Sequence, residues 1–586
     1  MNALAYLACG CAVLAAVYLL WPRLLSRWFP FEIDRDTTRR GGAMTFARDF
    51  ATFGQHAGVA LSPFVIVGAA GAAAWGWGAA LVLLAVLFGV LAVVHGMGWA
   101  SAVSSHEVSL RDTLRRSLGA PAAAALLIVL AAFVCVLMSM VVYATAGVMV
   151  DTPALFVPVC AFIALAFLGA LVFKPETSPT MQIGYTILVM LCMIALAKLQ
   201  PVAWTPHRLA VFAHNRRLLS AVCALVIYLV ALKAAFLPGG TVVRSINHLV
   251  FWAMALAAVV FAVGLAMAMP RVTGPALRVP DASWLALQPV VLIGYGSAGV
   301  LQALFSAHLT APYLYEQRTM RRICAGSLVA AACCLVVFVS TAVVGRMTGP
   351  TAGVSDAQLL ARAQPFTDHA EALAASVIGV FSTLTSHASL IVPFLFIIAG
   401  AAAACALARI MHELAGELLG WPMRGVLARW SVMVPLVAFM LLATAFAREV
   451  ARAASFFMQH GYTTWQGMVN AGLINGAGVT SLPAWPLAGP FSLGAGAAFL
   501  WVLAAVQRHE GRAFAVVTAL AAAATPVAFL PLAVALVAAR TAGKTGLAAC
   551  FAAIATLLFV TILVCVARLI TPRERETESP VQERLP

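Results

Sequence analysis

The sequence predicts an all-α integral membrane protein, a polytopic bundle of about 15 transmembrane helices. Composition is the first reason: 63% of the 586 residues are hydrophobic and 10% are charged, whereas about 25% of the residues in soluble domains are charged. The second reason is pattern, because the apolar runs are continuous rather than alternating, which excludes a β-barrel. With a mean hydropathy of +0.98, most of this chain is expected to lie in lipid.

The predicted spans follow from the thickness of the bilayer, whose hydrocarbon core of ~30 Å needs about 20 apolar residues per helix. They are 2–22, 56–74, 77–102, 121–149, 153–173, 180–198, 218–237, 248–269, 284–306, 324–345, 388–408, 430–447, 488–506, 513–538 and 545–568. Residues 371–387 are a further helical candidate, polar enough to be re-entrant or to lie on the surface. Residues 1–570 thus form one membrane domain, and the charged tail 571–586 is expected to be disordered.

Basic residues predict the orientation of the chain. The first apolar stretch has no basic residue before it, while Arg23 and Arg27 follow it, so we expect a retained first helix with its N-terminus outside. The segments then predicted inside carry most of the 36 Lys and Arg residues, although the loop 198–217 on the predicted outside is also basic. These inside segments are 23–53, 106–120, 174–179, 238–247, 307–323, 409–429, 507–512 and 568–586, which puts the C-terminus in the cytoplasm.

Charge and cysteine usage exclude several classes of function. The formal net charge is +15, but the basic residues are scattered between apolar segments, so a nucleic-acid partner is not expected. The 12 cysteines include no CxxC pair and no histidine spacing typical of zinc, so no metal or cofactor is expected. No nucleophile elbow, HExxH motif or Walker loop occurs, and we do not expect an enzyme. The expected partners are the lipid bilayer and a small molecule, and the oligomeric state is left open.

A cluster of small residues, Gly294 to Gly299 (GYGSAG), lies inside the predicted span 284–306. It matches the GxGxxG spacing, but a dinucleotide site needs a strand before it and a helix after it. It also contains the GYG triplet of potassium filters, without a suitable pore helix before it. Two interpretations remain: the glycines let helices pack closely, or Gly296 lies where the helix breaks at a substrate site.

Polar residues at membrane depth are costly and usually mark function. Gln302, Ser306 and Thr310 follow the glycines with a spacing of four residues, so they share one helix face. That face either lines a cavity or makes hydrogen bonds between helices. His95, late in the third span, is either a packed, hydrogen-bonded histidine or a residue with a proton or substrate role. A proton role fits because an unperturbed imidazole has a pKa near 6.5. His56 lies where a loop enters the second span, and structural and functional roles are equally open there.

Charged residues at span ends have simpler explanations. Arg409 and Glu413, in ALARIMHELAGELLG, are four residues apart and predict an intrahelical ion pair. We expect this pair, with His412, at a solvated cytoplasmic helix end. Lys233 is expected to extend its amine to the membrane interface.

Several stretches, taken in order along the chain, resemble the carbon starvation protein A (CstA) family of inner-membrane transporters. Together they cover about a third of the residues, in the family's order across most of the chain. The sequence positions that match the family's motifs are His56, His95, Gly296, Ser306, Thr310, Arg409, Trp485, Pro486 and Gly489. The stretches are FEIDRDTTRRGGAMTFARDFATFGQHAGVALSPFVIVGAAGA, LFGVLAVVHGMGWASAVSSHEVSLRDTLRRSLG, LQPVVLIGYGSAGVLQALFSAHLTAPYLYEQRTMRRICAGSLVA, IVPFLFIIAGAAAACALARIMHELAGELLG and AWPLAGPFSLGAGA.

The resemblance implies a transporter fold of the amino acid–polyamine–organocation type, with inverted repeats and broken helices around a central site. It implies a bacterial inner-membrane symporter that takes up peptides or pyruvate during carbon starvation, with protons as the coupling ion. Its substrate site is expected to be lined by the positions His56, His95, Gly296, Gln302, Ser306 and Thr310. His95 is the expected site of protonation.

The chain departs from the family at polar and helix-breaking positions. The family's two Gly-Pro pairs are replaced by Phe64-Val65 and Gly68-Ala69, the aspartate after the membrane histidine is Gly96, and a histidine is Gln302. These departures leave an alternative open: a degenerate homologue that no longer transports and acts as a membrane sensor or assembly partner.

Overall fold

A computed structural model gives the fold of part of the chain. It describes residues 2–28, 46–63, 119–173, 177–199, 216–237, 241–269, 317–348, 388–419 and 552–562, with isolated positions at 66, 76–78, 80, 81, 84, 111, 114, 115, 271, 272, 276 and 549. These residues are almost entirely helical and contain no strand, only a single β-bridge between Asn2 and Arg271.

The helices of the described residues are α1 (Ala3–Trp28), α2 (Phe46–Ala60), α3 (Ala120–Asp151), α4 (Phe156–Val172), α5 (Pro179–Leu199), α6 (Arg216–Phe236), α7 (Thr241–Ala268), α8 (Gln317–Thr348) and α9 (Ala388–Leu419). A 3-10 turn, Pro153–Leu155, joins α3 to α4. A shorter apolar helix, Ala552–Ile562, lies near the C-terminus.

Seven of these helices, α3 to α9, are long and apolar enough to cross a membrane, within the ranges given above. The prediction of a membrane-embedded helical bundle is therefore confirmed. The total of about 15 spans stays a prediction, because the spans predicted at 284–306, 430–447, 488–506 and 513–538 lie outside the described residues.

Some helix boundaries differ from those predicted. Helix α7 begins at Thr241 rather than at 248, and α9 continues to Leu419 rather than ending at 408. Both differences arise at a charged residue, Arg244 or Arg409, where hydropathy falls although the helix continues. The predicted span 56–74 is wrong as a continuous helix, because α2 ends at Ala60 and helical structure resumes only at Pro63. Proline lacks the amide hydrogen that a continuous helix needs and disfavours helix in the residue before it.

The bundle has a central helix and a peripheral one. Helix α9 packs against α3, α4, α6 and α7, and 89% of its span Ile391–Leu419 is buried in the bundle, against 22% of the α5 span Pro179–Leu196. Helix α5 exposes apolar side chains such as Met181, Ile187 and Leu191. This outer face is suited to contact with lipid.

Small residues let the central helices approach closely. A Cβ atom built on Gly400 of α9 would overlap the Thr145 hydroxyl of α3. Gly400 is followed by the buried residues Ala401, Ala402 and Ala403, which continue this small-residue surface along α9. The contact between α3 and α9 therefore depends on the absence of side-chain bulk.

Segments predicted on the same side of the membrane meet at the same end of the bundle. Asn2 pairs with Arg271; Asn2 begins the first predicted span at its outer end, and Arg271 lies in a predicted outside loop. The Arg111 amide donates a 2.6 Å hydrogen bond to the Glu417 carboxylate, and both were predicted inside. Which end faces the cytoplasm stays a prediction.

Arg409 is not at a solvated helix end, so that expectation is wrong. The predicted pair with Glu413 is present, with Nη2 2.5 Å from the Glu413 Oε1 atom, but the Arg409 side chain is only 16% exposed. Its Nη1 atom donates a 2.8 Å hydrogen bond to the carbonyl oxygen of Ala235 in α6. His412 is buried and packs edge-on against Phe236. Because α9 continues past these residues, their side chains lie against the C-terminal end of α6.

Candidate functional site

A partly open pocket of about 70 Å³ lies where α2, α4, α5 and α7 meet. Its described lining is unusually polar for this chain and includes a single charged side chain, that of Arg244. The lining residues are Ala51, Gly169, Ala170, Phe173, Gln182, Tyr185, Thr186, Thr241, Arg244, Ser245, His248 and Leu249.

The pocket is built from helix ends. Phe173 directly follows α4, Gln182 lies in the first turn of α5, and Thr241 begins α7. Helix N-termini carry unsatisfied amide hydrogens and a partial positive charge. With 28 residues, α7 is ~42 Å long at 1.5 Å per residue and exceeds the ~30 Å hydrocarbon core. The pocket, at the first residues of α7, therefore lies at one end of this helix, and a charged residue such as Arg244 is less costly near a helix end than at the centre of a membrane.

The wall formed by α4 and α5 is held by hydrogen bonds of its own. The Tyr185 hydroxyl donates to the Leu165 carbonyl of α4. The Gln182 side-chain amide donates to the Thr177 carbonyl at 3.1 Å, and the Thr186 hydroxyl donates to the Gln182 carbonyl at 2.8 Å. These hydrogen bonds fix the shape of the pocket wall, and they use the single hydrogens of the Tyr185 and Thr186 hydroxyls.

His248 forms the inner part of the α7 wall. It is 7% exposed, and neither of its ring nitrogens has a hydrogen-bond partner. Its ring lies edge-on to Phe50 at 5.2 Å and to Trp252 at 6.2 Å between centroids. An imidazole carries at least one N–H donor, and leaving a buried donor unsatisfied costs about 1–3 kcal/mol. A ligand in the pocket that accepts a hydrogen bond from the His248 ring would therefore stabilise the protein.

Two glycines of α2, Gly54 and Gly58, provide the contact with α7. A Cβ atom on Gly54 would overlap Nδ1 of His248, and a Cβ atom on Gly58 would overlap the carbonyl oxygen of Asn247. This four-residue spacing is the small-xxx-small pattern of close helix pairs in membranes. The α2–α7 contact thus sets the position of the His248 ring.

A second polar feature is the interruption after α2. The chain bends at Leu61, Ser62 is non-helical, and helical structure resumes at Pro63. Leu61 and Ser62 are both buried, and the Ser62 hydroxyl has no hydrogen-bond partner. In transporters, interrupted helices expose backbone groups to a substrate or ion.

Of the predicted site residues, His56 is the one that the structure describes. It is fully buried in the last turns of α2, close in sequence to the interruption. His95, Gly296, Gln302, Ser306 and Thr310 lie outside the described residues. Whether these residues converge on one cavity therefore stays a prediction.

Sequence reasoning missed the polar face of α7. Thr241, Arg244, Ser245 and His248 follow the three- and four-residue spacing of one helix face. This spacing is a usable signal, but hydropathy predicts the segment 238–247 as a loop, because Arg244 and Asn247 lower its value. The Gly54–Gly58 pair is a second sequence signal of the same contact.

Fold and site together define the class of the protein as a membrane-embedded α-helical bundle with a polar pocket near one of its ends. No protein-family model and no curated protein matches this sequence. Membership of the CstA family therefore stays a prediction.

Proposed function

We propose that this chain is a CstA-like secondary transporter of the bacterial inner membrane. Its substrates would be small peptides or pyruvate-like carboxylates, taken up with protons during carbon starvation. The observation that supports this proposal best is the buried interruption between α2 and Pro63, with the Ser62 hydroxyl beside it. A continuous structural helix needs no such break, whereas a carrier uses one to bind its substrate.

The location of His56 supports the same proposal. This histidine lies two helical turns or less before Ser62 and is fully buried, although buried ionisable groups in membrane helices are costly unless they have a role. His56 and Ser62 would contribute to a substrate site that also includes Gly296, Gln302, Ser306 and Thr310. His95 would carry the coupled proton.

Uptake into vesicles tests the proposal. The purified chain is reconstituted into liposomes with an imposed proton gradient and offered labelled pyruvate, alanine and a dipeptide in turn. We expect saturable uptake of at least one of them, and a loss of accumulation when the gradient is collapsed. Uptake of all three that equals uptake into protein-free liposomes would instead favour the non-transporting homologue, which the missing aspartate and prolines also suggest.

Replacing His95 by glutamine tests the coupling step. Glutamine keeps hydrogen-bonding capacity but cannot be protonated, so we expect uptake to lose its dependence on pH. The control is His207→Gln, in the predicted loop 198–217, which is expected to leave the pH profile unchanged. An unchanged profile in His95→Gln would remove His95 from the mechanism.

A further inference from the structure

We propose that the pocket between α2, α4, α5 and α7 is an oxyanion-binding site, for the carboxylate of a small solute or the phosphate of a lipid headgroup. The inference goes beyond the transport proposal, because the pocket would bind an anion in a non-transporting protein as well. It rests on the chemistry of the pocket lining and on the unsatisfied ring nitrogens of His248.

Charge is the first argument. Arg244 is the single charged residue among the described residues that line the pocket, and no carboxylate is among them. A guanidinium presents several N–H donors in a planar fork that matches carboxylate and phosphate oxygens. The electrostatic preference of this lining is therefore for a negatively charged group.

Donor supply is the second argument. The backbone amides of Thr241, Val242 and Val243, at the start of α7, have no partner within the helix. Anions bind at helix N-termini for this reason. The Tyr185 and Thr186 hydroxyls already donate their single hydrogens to carbonyl groups, so the charged donor in the lining is the Arg244 guanidinium of α7.

The His248 side chain indicates a ligand independently of the charge and of the helix N-terminus. Its side chain is more than nine-tenths buried, lines the pocket, and has no hydrogen-bond partner at either nitrogen. Nδ1 lies against Gly54, which leaves Nε2 as the nitrogen for a ligand. An oxygen acceptor in the pocket would satisfy this donor.

The size of the pocket fits one end of a molecule rather than a whole substrate. A volume of about 70 Å³ is several times the ~10–15 Å³ that one water needs on the same kind of measure. It accommodates a carboxylate or phosphate group, and the remainder of the ligand would extend through the open side. Helix α5 contributes Gln182, Tyr185 and Thr186 to the lining and has the smallest buried share of the seven candidate spans in the described residues, 22%.

Thermal stability of the full-length chain in neutral detergent tests the site. Potassium pyruvate and potassium phosphate are titrated separately against potassium chloride of equal ionic strength, since a ligand of the folded state raises the melting temperature. We expect a saturable rise with an oxyanion. In Arg244→Gln we expect the apparent affinity to fall about tenfold or more, because a charge-assisted hydrogen bond is lost.

Matched variants separate binding from folding. Arg271→Gln removes the same charge from an exposed residue beyond the opposite end of α7, and it is expected to keep the full response. Arg244→Lys keeps the charge without the fork and should show an intermediate affinity, while His248→Gln should weaken binding. These variants also keep the test valid if Arg244→Gln does not fold.

A second arm identifies the source of the anion. The chain is placed in nanodiscs of phosphatidylcholine alone or with phosphatidylglycerol, and bound lipid is measured by native mass spectrometry. Phosphatidylglycerol retained by the wild type and by Arg271→Gln but lost from Arg244→Gln would assign the site to a headgroup. A response to soluble oxyanion alone would assign it to a solute. If neither arm responds, or if Arg271→Gln loses as much as Arg244→Gln, the proposal is overturned.

Discussion

Alanine at Gly58 is expected to destabilise the bundle by about 1–3 kcal/mol, at the upper end of this range for overpacking. The added methyl group would overlap the carbonyl oxygen and carbonyl carbon of Asn247. Backbone atoms of a packed helix cannot rotate away as a side chain can, so α2 and α7 must separate. The measurement is the melting temperature of purified Gly58→Ala in detergent, with size-exclusion chromatography to detect aggregation.

Alanine substitutions at two further glycines are compared with Gly58→Ala. Gly184→Ala is the matched control, since no atom lies within 4 Å of a Cβ built there, and alanine favours helix over glycine. We expect its melting temperature to be unchanged or slightly higher. Gly54→Ala should fall between the two, because its methyl group meets the His248 side chain rather than backbone. Equal melting temperatures for Gly58→Ala and Gly184→Ala would contradict the described α2–α7 contact.

Methionine at Arg409 is expected to cost about 1.5–3 kcal/mol, the usual contribution of a hydrogen bond to a charged group. The substitution leaves the Ala235 carbonyl without its donor and the Glu413 carboxylate without its counter-charge. Methionine fills much of the same space, so the loss reports charge and hydrogen bonding more than packing. The measurement is again thermal unfolding in detergent, compared at equal protein and detergent concentration.

A double mutant and a surface control complete this test. Arg409→Met combined with Glu413→Gln should recover part of the loss, because residues in one ion pair are not additive. Lys233→Met removes a cation from an exposed position in the last turn of α6 and is expected to change stability by less than about 0.5 kcal/mol. A loss in Lys233→Met as large as that in Arg409→Met would mean that net charge, not the contact with α6, decides the result.

The sequence predicts the membrane bundle well because hydropathy reports directly on the solvent. Helix α3, predicted at 121–149, is found at Ala120–Asp151, and helix α5, predicted at 180–198, is found at Pro179–Leu199. Hydropathy is less informative at charged residues, since its fall at Arg409 predicts the end of a span there. The structure shows that this side chain is satisfied by α6 and by Glu413. Partners in another helix are distant in sequence and do not affect the local hydropathy.

The site was harder to predict for the same reason. The sequence identifies His56, which is buried, and its role stays a prediction. His248 was not, because its significance depends on Gly54 of another helix and on the pocket between α4, α5 and α7. A histidine near the predicted start of a span gives no sign of such surroundings. Pro63 is the sequence signal for the interruption at Ser62, but the apolar residues around it predict a continuous span.

Exchange across the membrane tests the central claim, that this bundle is a carrier, most directly. Proteoliposomes are loaded with unlabelled pyruvate, and the entry of labelled pyruvate is followed without any imposed gradient; alanine and a dipeptide are tested in the same way. A carrier that alternates between its two faces is expected to take up label faster when the interior contains unlabelled substrate than when it is empty. If internal substrate fails to accelerate entry for all three compounds, while the folded protein is shown to be present in the vesicles, the carrier function is contradicted.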